Sequence, residues 1–198
     1  MNIKEAAKDF WNFIWKEDSL ASWIVSLILA FIIVKFIFFP LLSFAFGTPL
    51  PLVVVESGSM HHPGNLFGNI FQTKSSFETF WTKSSVWYLE HNINKEKFLK
   101  FSLSHGLEIG DIVIASGRAN YKIGDIIIFN ANQAYPIIHR IINITEKDGK
   151  QIYSTKGDNN PGQLQIEEEI TKEQILGKAI LRIPRIGWIK LFFVKLIQ

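Results

Sequence analysis

The sequence predicts a mainly β protein, in which a partly closed antiparallel β domain follows a transmembrane helix and contains a helical insertion. Three observations lead to this prediction. From Leu20 to Phe46 the only ionised side chain is Lys35, and this stretch exceeds the ~20 apolar residues that span a bilayer. Short β-branched runs bounded by turn residues recur after Gly110, as antiparallel strands require. Between these two parts, residues 61–105 place aromatic side chains at helical spacing.

Composition limits the chemistry that the 198-residue chain can perform. The chain has no cysteine, which excludes a disulfide framework, a thiol nucleophile and a cysteine zinc site. Its net charge is +3, but the lysines are scattered and no basic cluster accompanies a base-stacking motif, so we do not expect nucleic acid as a partner. The hydrophobic content of 47% is high for a soluble domain, and most of the excess precedes residue 56. We therefore expect one membrane segment and one folded domain that uses oxygen and nitrogen chemistry.

The first part of the chain is predicted to form helices at a membrane. Apolar residues recur at helical spacing through residues 1–18, which predicts an amphipathic helix in the membrane interface. Residues 19–46 are predicted to be a transmembrane signal-anchor helix, capped by Asp18 or Ser19 and kinked or ended at Pro40. A cleaved signal peptide is the alternative, but the apolar stretch is too long for one.

The distribution of lysines predicts the orientation of this anchor. Three lysines precede the span, whereas no Lys or Arg occurs between Phe36 and Lys74. Positive charges flanking a span are retained on the cytoplasmic side. The amino end is therefore predicted to be cytoplasmic, with everything after the span on the outer face.

Short apolar runs in the second half of the chain predict antiparallel strands. Each run is rich in β-branched residues and is bounded by Gly, Pro, Asn or Asp. The sequence Lys147-Asp148-Gly149-Lys150 predicts a tight hairpin turn. We therefore predict one domain over residues 47–184, with strands at Asp111 to Ala115, Ile123 to Phe129, Pro136 to Ile144, Gln151 to Thr155 and Lys178 to Ile183.

Two further segments interrupt or follow this domain. Residues 61–105 are predicted to be an inserted helical hairpin, whose aromatic face packs on the β domain or enters the membrane interface. The four histidines of this insertion fit no metal-ligand spacing and are expected at the surface, so we expect neither a metal nor a cofactor. Residues 185–198 are too short to cross a bilayer and predict an apolar interfacial segment, with a core-packing helix as the alternative.

The candidate nucleophile lies in Glu56-Ser57-Gly58-Ser59-Met60, which follows the β-branched run Val53-Val54-Val55. Gly58 can take dihedral angles that other residues cannot, so a turn here can hold a serine hydroxyl clear of the backbone. An ordinary Ser-Gly turn is the alternative. A serine hydroxyl becomes a good nucleophile when a base within hydrogen-bond reach takes its proton.

His139 is the best candidate for that base. Alternation along the predicted strand places His139 on one apolar face with Ile137 and Ile141, where a hydrogen-bonded core histidine is the alternative. An imidazole with its ordinary pKa of about 6.5 is mostly neutral at pH 7 and can therefore accept a proton. A Ser-His pair is thus the chemistry that these residue types favour.

The order of four motifs carries a family resemblance. The motifs are Ser57-Gly58-Ser59-Met60, Asp111-Ile112-Val113-Ile114, His139-Arg140 and Lys156-Gly157-Asp158-Asn159-Asn160. In this order they resemble the type I signal peptidase family, in the archaeal and endoplasmic-reticulum branch that has His where the bacterial branch has Lys. The resemblance extends from the apolar segment to the carboxyl end, except for the insertion at residues 61–105.

The resemblance implies an activity and the residues that perform it. The implied activity is that of a membrane-bound serine endopeptidase, with a catalytic domain of signal peptidase type, that removes signal peptides from secreted preproteins after small residues at the −3 and −1 positions. It implies that Ser59 is the nucleophile, His139 the base and Asp158 the acid that orients the imidazole. Ser57 and Ser59 are implied to bind the oxyanion, and no cofactor is implied.

The resemblance also implies partners and a location. The partners are signal peptides of preproteins and the lipid bilayer, with the protein translocation machinery as a further candidate. The location is the cell membrane, or the endoplasmic-reticulum membrane in a eukaryote, with the catalytic domain on the outer or luminal face.

The sequence departs from the family pattern at one position of interest. Members of this branch usually carry a second Asp about six residues after the first, but Pro161-Gly162-Gln163-Leu164 follows here. Either Asp158 acts alone, which we expect, or a glutamate among residues 167–169 replaces the missing acid. A catalytically inactive, membrane-anchored accessory subunit on the same fold is the alternative function, and a self-cleaving repressor of related fold is a remote one.

Overall fold

The computed structural model describes residues 2–62 and 74–197, so the part of the predicted insertion at residues 63–73 lies outside the described residues. The chain divides into two compact units, Met1–Ala45 and Phe46–Gln198, each of which is considered by itself.

The first unit consists of the predicted helices. Helix α1 (Ile3–Lys16) has no buried residue, and α2 (Leu20–Ile33) begins after Ser19, whose side chain accepts a hydrogen bond from the Ser22 amide. The hydroxyl of Ser22 donates to the Phe13 carbonyl at 2.6 Å and thereby joins the two helices. Both predicted helices and the Ser19 cap are therefore present.

The second helix does not end at Pro40. It continues through a π-helical turn (Val34–Phe38) into α3 (Phe39–Phe46). Proline lacks an N–H donor and crowds the carbonyl four residues earlier, and the wider π turn lies where this disturbance falls. Among the described residues, Leu20–Phe46 is the one helix long and apolar enough to cross a membrane.

In the second unit, the described residues form one curled antiparallel sheet of seven strands, in the order β1-β2-β7-β3-β4-β5-β6. The strands are β1 (Leu52–Val54), β2 (Ile112–Ser116), β3 (Ile126–Phe129), β4 (Ile137–Lys147), β5 (Lys150–Lys156), β6 (Ile170–Thr171) and β7 (Ile175–Ile183). The predicted mainly β fold class is therefore confirmed.

Turn chemistry explains where the strands begin and end. Strands β4 and β5 pair as far as Lys147 opposite Lys150, because Asp148 and Gly149 both have the positive φ of a tight hairpin turn. Strand β3 begins three residues later than predicted, since Asp125 accepts a hydrogen bond from the Lys122 amide and closes a turn there. The short β6 was not predicted.

The core occupies both faces of the sheet. On β3, Ile126 and Ile128 pack into one cluster with Val113 of β2, whereas Ile127 and Phe129 pack into another with Ile141 of β4. Strands covered on both faces are continuously apolar, which is why β3 has the sequence Ile-Ile-Ile-Phe.

The described part of the insertion is helical and packs on the β domain. Helix α4 (Lys74–Glu90) and the short α5 (Lys95–Leu99), capped by Asn94, bury an aromatic cluster against Ile142 of β4. Its buried aromatic members are Phe77, Phe80, Tyr88 and Phe98.

The carboxyl-terminal helix α6 (Trp188–Ile197) has a different environment. Its apolar side chains are largely exposed, including Ile189 at 65% and Phe192 at 61%. This exposure does not fit a core-packing helix. An interfacial segment over residues 185–198 remains the prediction.

The packing of the insertion predicts a difference between two adjacent residues. Phe98 is fully buried, whereas Leu99 is 48% exposed on the same helix. We expect Phe98→Ala to lower the free energy of unfolding by about 3–5 kcal/mol, because it removes a large buried ring. Leu99→Ala should stay within about 0.5 kcal/mol of wild type. Thermal and denaturant melts in detergent would measure both, and equal effects would contradict this packing.

Candidate active site

The serine turn follows β1 directly. The Oγ atoms of Ser57 and Ser59 lie 3.2 Å apart, and Ser59 is half-buried. Gly58 does not have a positive φ, and a Cβ built on it would meet no atom within 4 Å. The expectation that glycine dihedrals shape this turn is therefore wrong, because an ordinary side chain would fit there.

His139 is buried on β4 and is bonded to a glutamate. Its Nδ1 is hydrogen-bonded to Oε1 of Glu167, which is also fully buried at the end of a 3₁₀ turn (Gln165–Glu167). The hydroxyl of Thr155 donates to the same oxygen at 3.2 Å, and the Leu164 amide donates to Oε2 at 2.9 Å. An ionised carboxylate accepts hydrogen bonds and does not donate them, so the proton of a neutral His139 ring lies on Nδ1. Its Nε2 is then free to act as a base.

The segment 157–159 contacts both the serine turn and His139. A Cβ built on Gly157 would lie 2.7 Å from Nε2 of His139, so the ring lies directly against this glycine. The Asn159 amide donates to the Ser59 carbonyl at 2.7 Å, and its side chain donates to the Gly58 carbonyl at 3.0 Å. Within residues 2–62 and 74–197, the Ser59 hydroxyl is bonded to Ser57 and makes no hydrogen bond to the His139 ring.

Asp158 belongs to a separate buried network. The Arg140 guanidinium donates to both of its oxygens, from Nε at 2.9 Å and from Nη2 at 2.7 Å. Nε2 of His62 lies 2.9 Å from Oδ2, and the Tyr88 hydroxyl donates to Oδ1 at 2.9 Å. His139 and Arg140 are neighbours on β4 and point to opposite faces, so the acid that binds Arg140 is directed away from the imidazole.

The expected partnership of Asp158 with His139 is therefore not formed in the described part of the chain. Glu167, which the sequence left as one of the alternatives, is hydrogen-bonded to His139 instead. Sequence spacing alone could not show whether Asp158 or Glu167 binds His139, because both acids lie in the stretch that follows β5. Which acid binds the ring depends on the face of the sheet that each side chain contacts.

Burial and neighbouring charges determine the pKa values of the groups in the Asp158 network. Burial by itself raises the pKa of the Asp158 carboxyl, but the charge of Arg140 and the hydrogen bonds from His62 and Arg140 lower it by more, so the pKa lies well below its usual range. Burial lowers the pKa of His62 and keeps its ring neutral at pH 7. The ionised acid can only accept, so His62 Nε2 carries the proton of their hydrogen bond.

Two members of this network were missed from the sequence. His62 was expected at the surface, but it is fully buried. Its ring stacks on that of Phe80, with the two ring centroids 3.6 Å apart. Tyr88 is one of the aromatic residues of the predicted insertion, but the sequence does not indicate that its hydroxyl binds Asp158. Among the described residues, no group of acids and histidines is arranged to hold a metal ion.

A cavity of about 640 Å³ opens beside the serine turn. Its lining includes Gly58, Asn159 and Trp188, together with His61 and Glu108, which are hydrogen-bonded from Nδ1 to Oε1 at 2.5 Å. The cavity is lined by Gly58, the residue before Ser59, and by Asn159, whose amide donates to the Ser59 carbonyl.

Comparison with known proteins identifies relatives that match somewhat less than half of the chain. No family model matches the sequence. The signal peptidase complex catalytic subunit of Lachancea thermotolerans is 32% identical over 104 residues, which are 48% of this chain and 62% of the relative. The subunit of the same name from Eremothecium gossypii is 33% identical over 97 residues (48% and 58%), and that from Yarrowia lipolytica is 32% identical over 92 residues (42% and 54%).

The matched segment thus spans somewhat more than half the length of each of these relatives. The resemblance that the motifs carried is confirmed by these matches. Over about half its length, the chain is a homologue of proteins named signal peptidase complex catalytic subunit, which belong to the endoplasmic-reticulum branch of the type I signal peptidase family.

Proposed function

We propose that this chain is a membrane-bound serine endopeptidase that removes signal peptides from secreted preproteins. One observation carries the proposal: Ser59 and a His139 ring held by Glu167 both adjoin the segment 157–159. The name of the relatives supports signal peptides as the substrate class.

In the proposed reaction, Ser59 Oγ attacks the carbonyl carbon of the scissile bond while His139 Nε2 takes the hydroxyl proton. The Glu167 carboxylate holds the ring in the required tautomer and stabilises the imidazolium. The leaving amine takes that proton from Nε2 as the C–N bond breaks, which leaves the signal peptide as an ester on Ser59. Water, deprotonated by the same nitrogen, hydrolyses the ester and restores the hydroxyl.

Ser57 is the proposed side-chain donor to the oxyanion, together with the backbone N–H of Ser59. Its hydroxyl lies 3.2 Å from Ser59 Oγ, the attacking atom. A donor aimed at the developing charge contributes roughly 2.7–4 kcal/mol. The Ser59–His139 hydrogen bond is expected to form with substrate bound, since such bonds are often long in free enzymes.

The membrane arrangement follows from the same proposal. Residues 1–18 lie in the interface, residues 19–46 anchor the chain with the amino end in the cytoplasm, and residues 47–184 form the catalytic domain on the outer or luminal face. The exposed apolar residues of 185–198 hold this domain against the lipid. The signal peptide, the bilayer and the translocation machinery are the proposed partners, with small residues selected at −3 and −1.

An inactive accessory subunit is not favoured by the site. Such a subunit has no use for a buried carboxylate on the ring of a histidine, because an apolar pair would fill the same space without the cost of burying polar groups.

Removing the nucleophile or the base tests the proposal. We expect Ser59→Ala and His139→Ala each to abolish cleavage of a preprotein in detergent or lipid, because the acyl-enzyme cannot form. Ser57→Ala should lose less, since it removes one oxyanion donor and leaves the covalent route. Cleavage is measured by gel shift and by sequencing the new amino terminus. Full activity in Ser59→Ala would refute the mechanism.

The two acids are predicted to have different roles. Glu167→Gln should keep the fold but lower kcat by about 10²-fold or more, because an amide supports neither the tautomer nor the imidazolium. Glu168, its exposed neighbour, gives a matched control in Glu168→Gln, which should be neutral. Asp158→Asn should instead destabilise the fold by about 3–5 kcal/mol, because it removes the charge that pairs with buried Arg140. A folded Glu167→Gln enzyme with normal turnover would contradict this division.

We predict that His139 can keep its position only if residue 157 is a glycine. In Gly157→Ala the new methyl group would lie 2.7 Å from both Nε2 of His139 and Nδ2 of Asn160, so one of these groups must move. We expect kcat to fall about tenfold or more, as misplacing a catalytic group does. Gly162→Ala is the control, since its Cβ would meet nothing within 4 Å. Equal turnover in the two variants would show that His139 does not need to rest on Gly157.

A further inference from the structure

The helical insertion contacts the segment 156–159 at three successive points. The Tyr88 hydroxyl donates to the Asp158 carboxylate at 2.9 Å, and Lys83 Nζ of the same helix donates to the Asn159 side chain at 3.0 Å. The rings of Trp87 and Tyr88 each lie 4.9 Å from Nζ of Lys156. One face of α4 therefore covers the segment that begins at the end of β5 and contacts the serine turn through Asn159.

Lys156 links these aromatic rings to the backbone of the segment. Its side chain is buried, and Nζ donates to the carbonyls of Gly157 at 3.0 Å and Asp158 at 3.4 Å. Burial lowers the pKa of Lys156 to about 8, so the amine is still mostly charged at pH 7 and interacts with both aromatic faces. The insertion thus covers the side chain that fixes the backbone next to His139.

Tyr88 is the most specific of these contacts. It is fully buried, and its hydroxyl is a third hydrogen-bond donor to an acid that Arg140 and His62 already bind. Asp158 precedes Asn159, whose amide donates to the Ser59 carbonyl, and follows Gly157, which adjoins His139 Nε2. A shift of the Asp158 side chain would therefore be passed to both proposed catalytic residues.

We infer that the helical insertion is a positioning element of the active site, and that Tyr88 is the residue through which it fixes the segment 157–159 between Ser59 and His139. The catalytic part of this inference rests on the proposed function. That Tyr88 fixes the backbone of residues 157–159 can be tested separately, by hydrogen exchange of the Asn159 amide.

Tyr88→Phe tests the inference, because it removes the hydroxyl and keeps the ring. Tyr153→Phe is the control: the Tyr153 ring is also buried and its hydroxyl also donates a hydrogen bond, but to Gln151 Oε1 at 2.8 Å, and the ring packs in the cluster on the other face of the sheet. Hydrogen exchange of the Asn159 amide is measured in the full chain in detergent, and kcat and KM are measured with a preprotein. Lys156→Met provides a second variant that loosens the same segment.

We expect Tyr88→Phe and Lys156→Met to raise the exchange rate of the Asn159 amide by about tenfold, the equivalent of one hydrogen bond. Their kcat should fall by a similar factor with KM little changed, whereas Tyr153→Phe should alter neither quantity. Unchanged exchange in both variants would overturn the inference, and so would faster exchange with kcat unchanged. Absence of cleavage by the wild-type chain would count against the proposed function alone, since the exchange result does not depend on it.

Discussion

The buried ion pair between Arg140 and Asp158 is the constraint on which the arrangement of this domain depends. Arg140 is fully buried, and a buried charge is costly unless it is paired and its hydrogen bonds are satisfied. Its guanidinium therefore binds Asp158 and three backbone carbonyls at once, those of Ser102, Leu103 and Gly124. The carbonyls belong to the end of the insertion and to the turn before β3. A single side chain thus fixes three loops at one point of the sheet.

This constraint also determines which acid can act on His139. Neighbouring residues on a strand point to opposite faces, so a pair that places Arg140 against Asp158 turns His139 toward the other face. There the 3₁₀ turn that ends at Glu167 delivers a carboxylate to the imidazole. On one face of β4 Arg140 therefore binds Asp158, and on the other face His139 binds Glu167. The proposed roles, stability for Asp158 and orientation of the base for Glu167, follow from that geometry.

The sequence predicted what local patterns determine. The apolar stretch from residue 20, the Ser19 cap and the hairpin at Asp148-Gly149 all depend on neighbouring residues, and all are present. Contacts between residues far apart in the chain were predicted less well. The contact of His62 with Asp158 joins residues 96 positions apart, and neither residue type nor spacing indicates it. Glu167 could be named as a candidate but not chosen, because the choice depends on the face that β4 presents.

The insertion supplies part of the hydrogen-bond network around Asp158. Asp158 is surrounded by donors from two sources: Arg140 comes from the sheet, whereas His62 and Tyr88 come from the stretch that interrupts the family pattern. An acid whose two oxygens already accept four hydrogen bonds, from three residues, is poorly placed to bind another group as well. Asp158 is thus held in the network beneath α4, and the buried carboxylate that is hydrogen-bonded to His139 is that of Glu167.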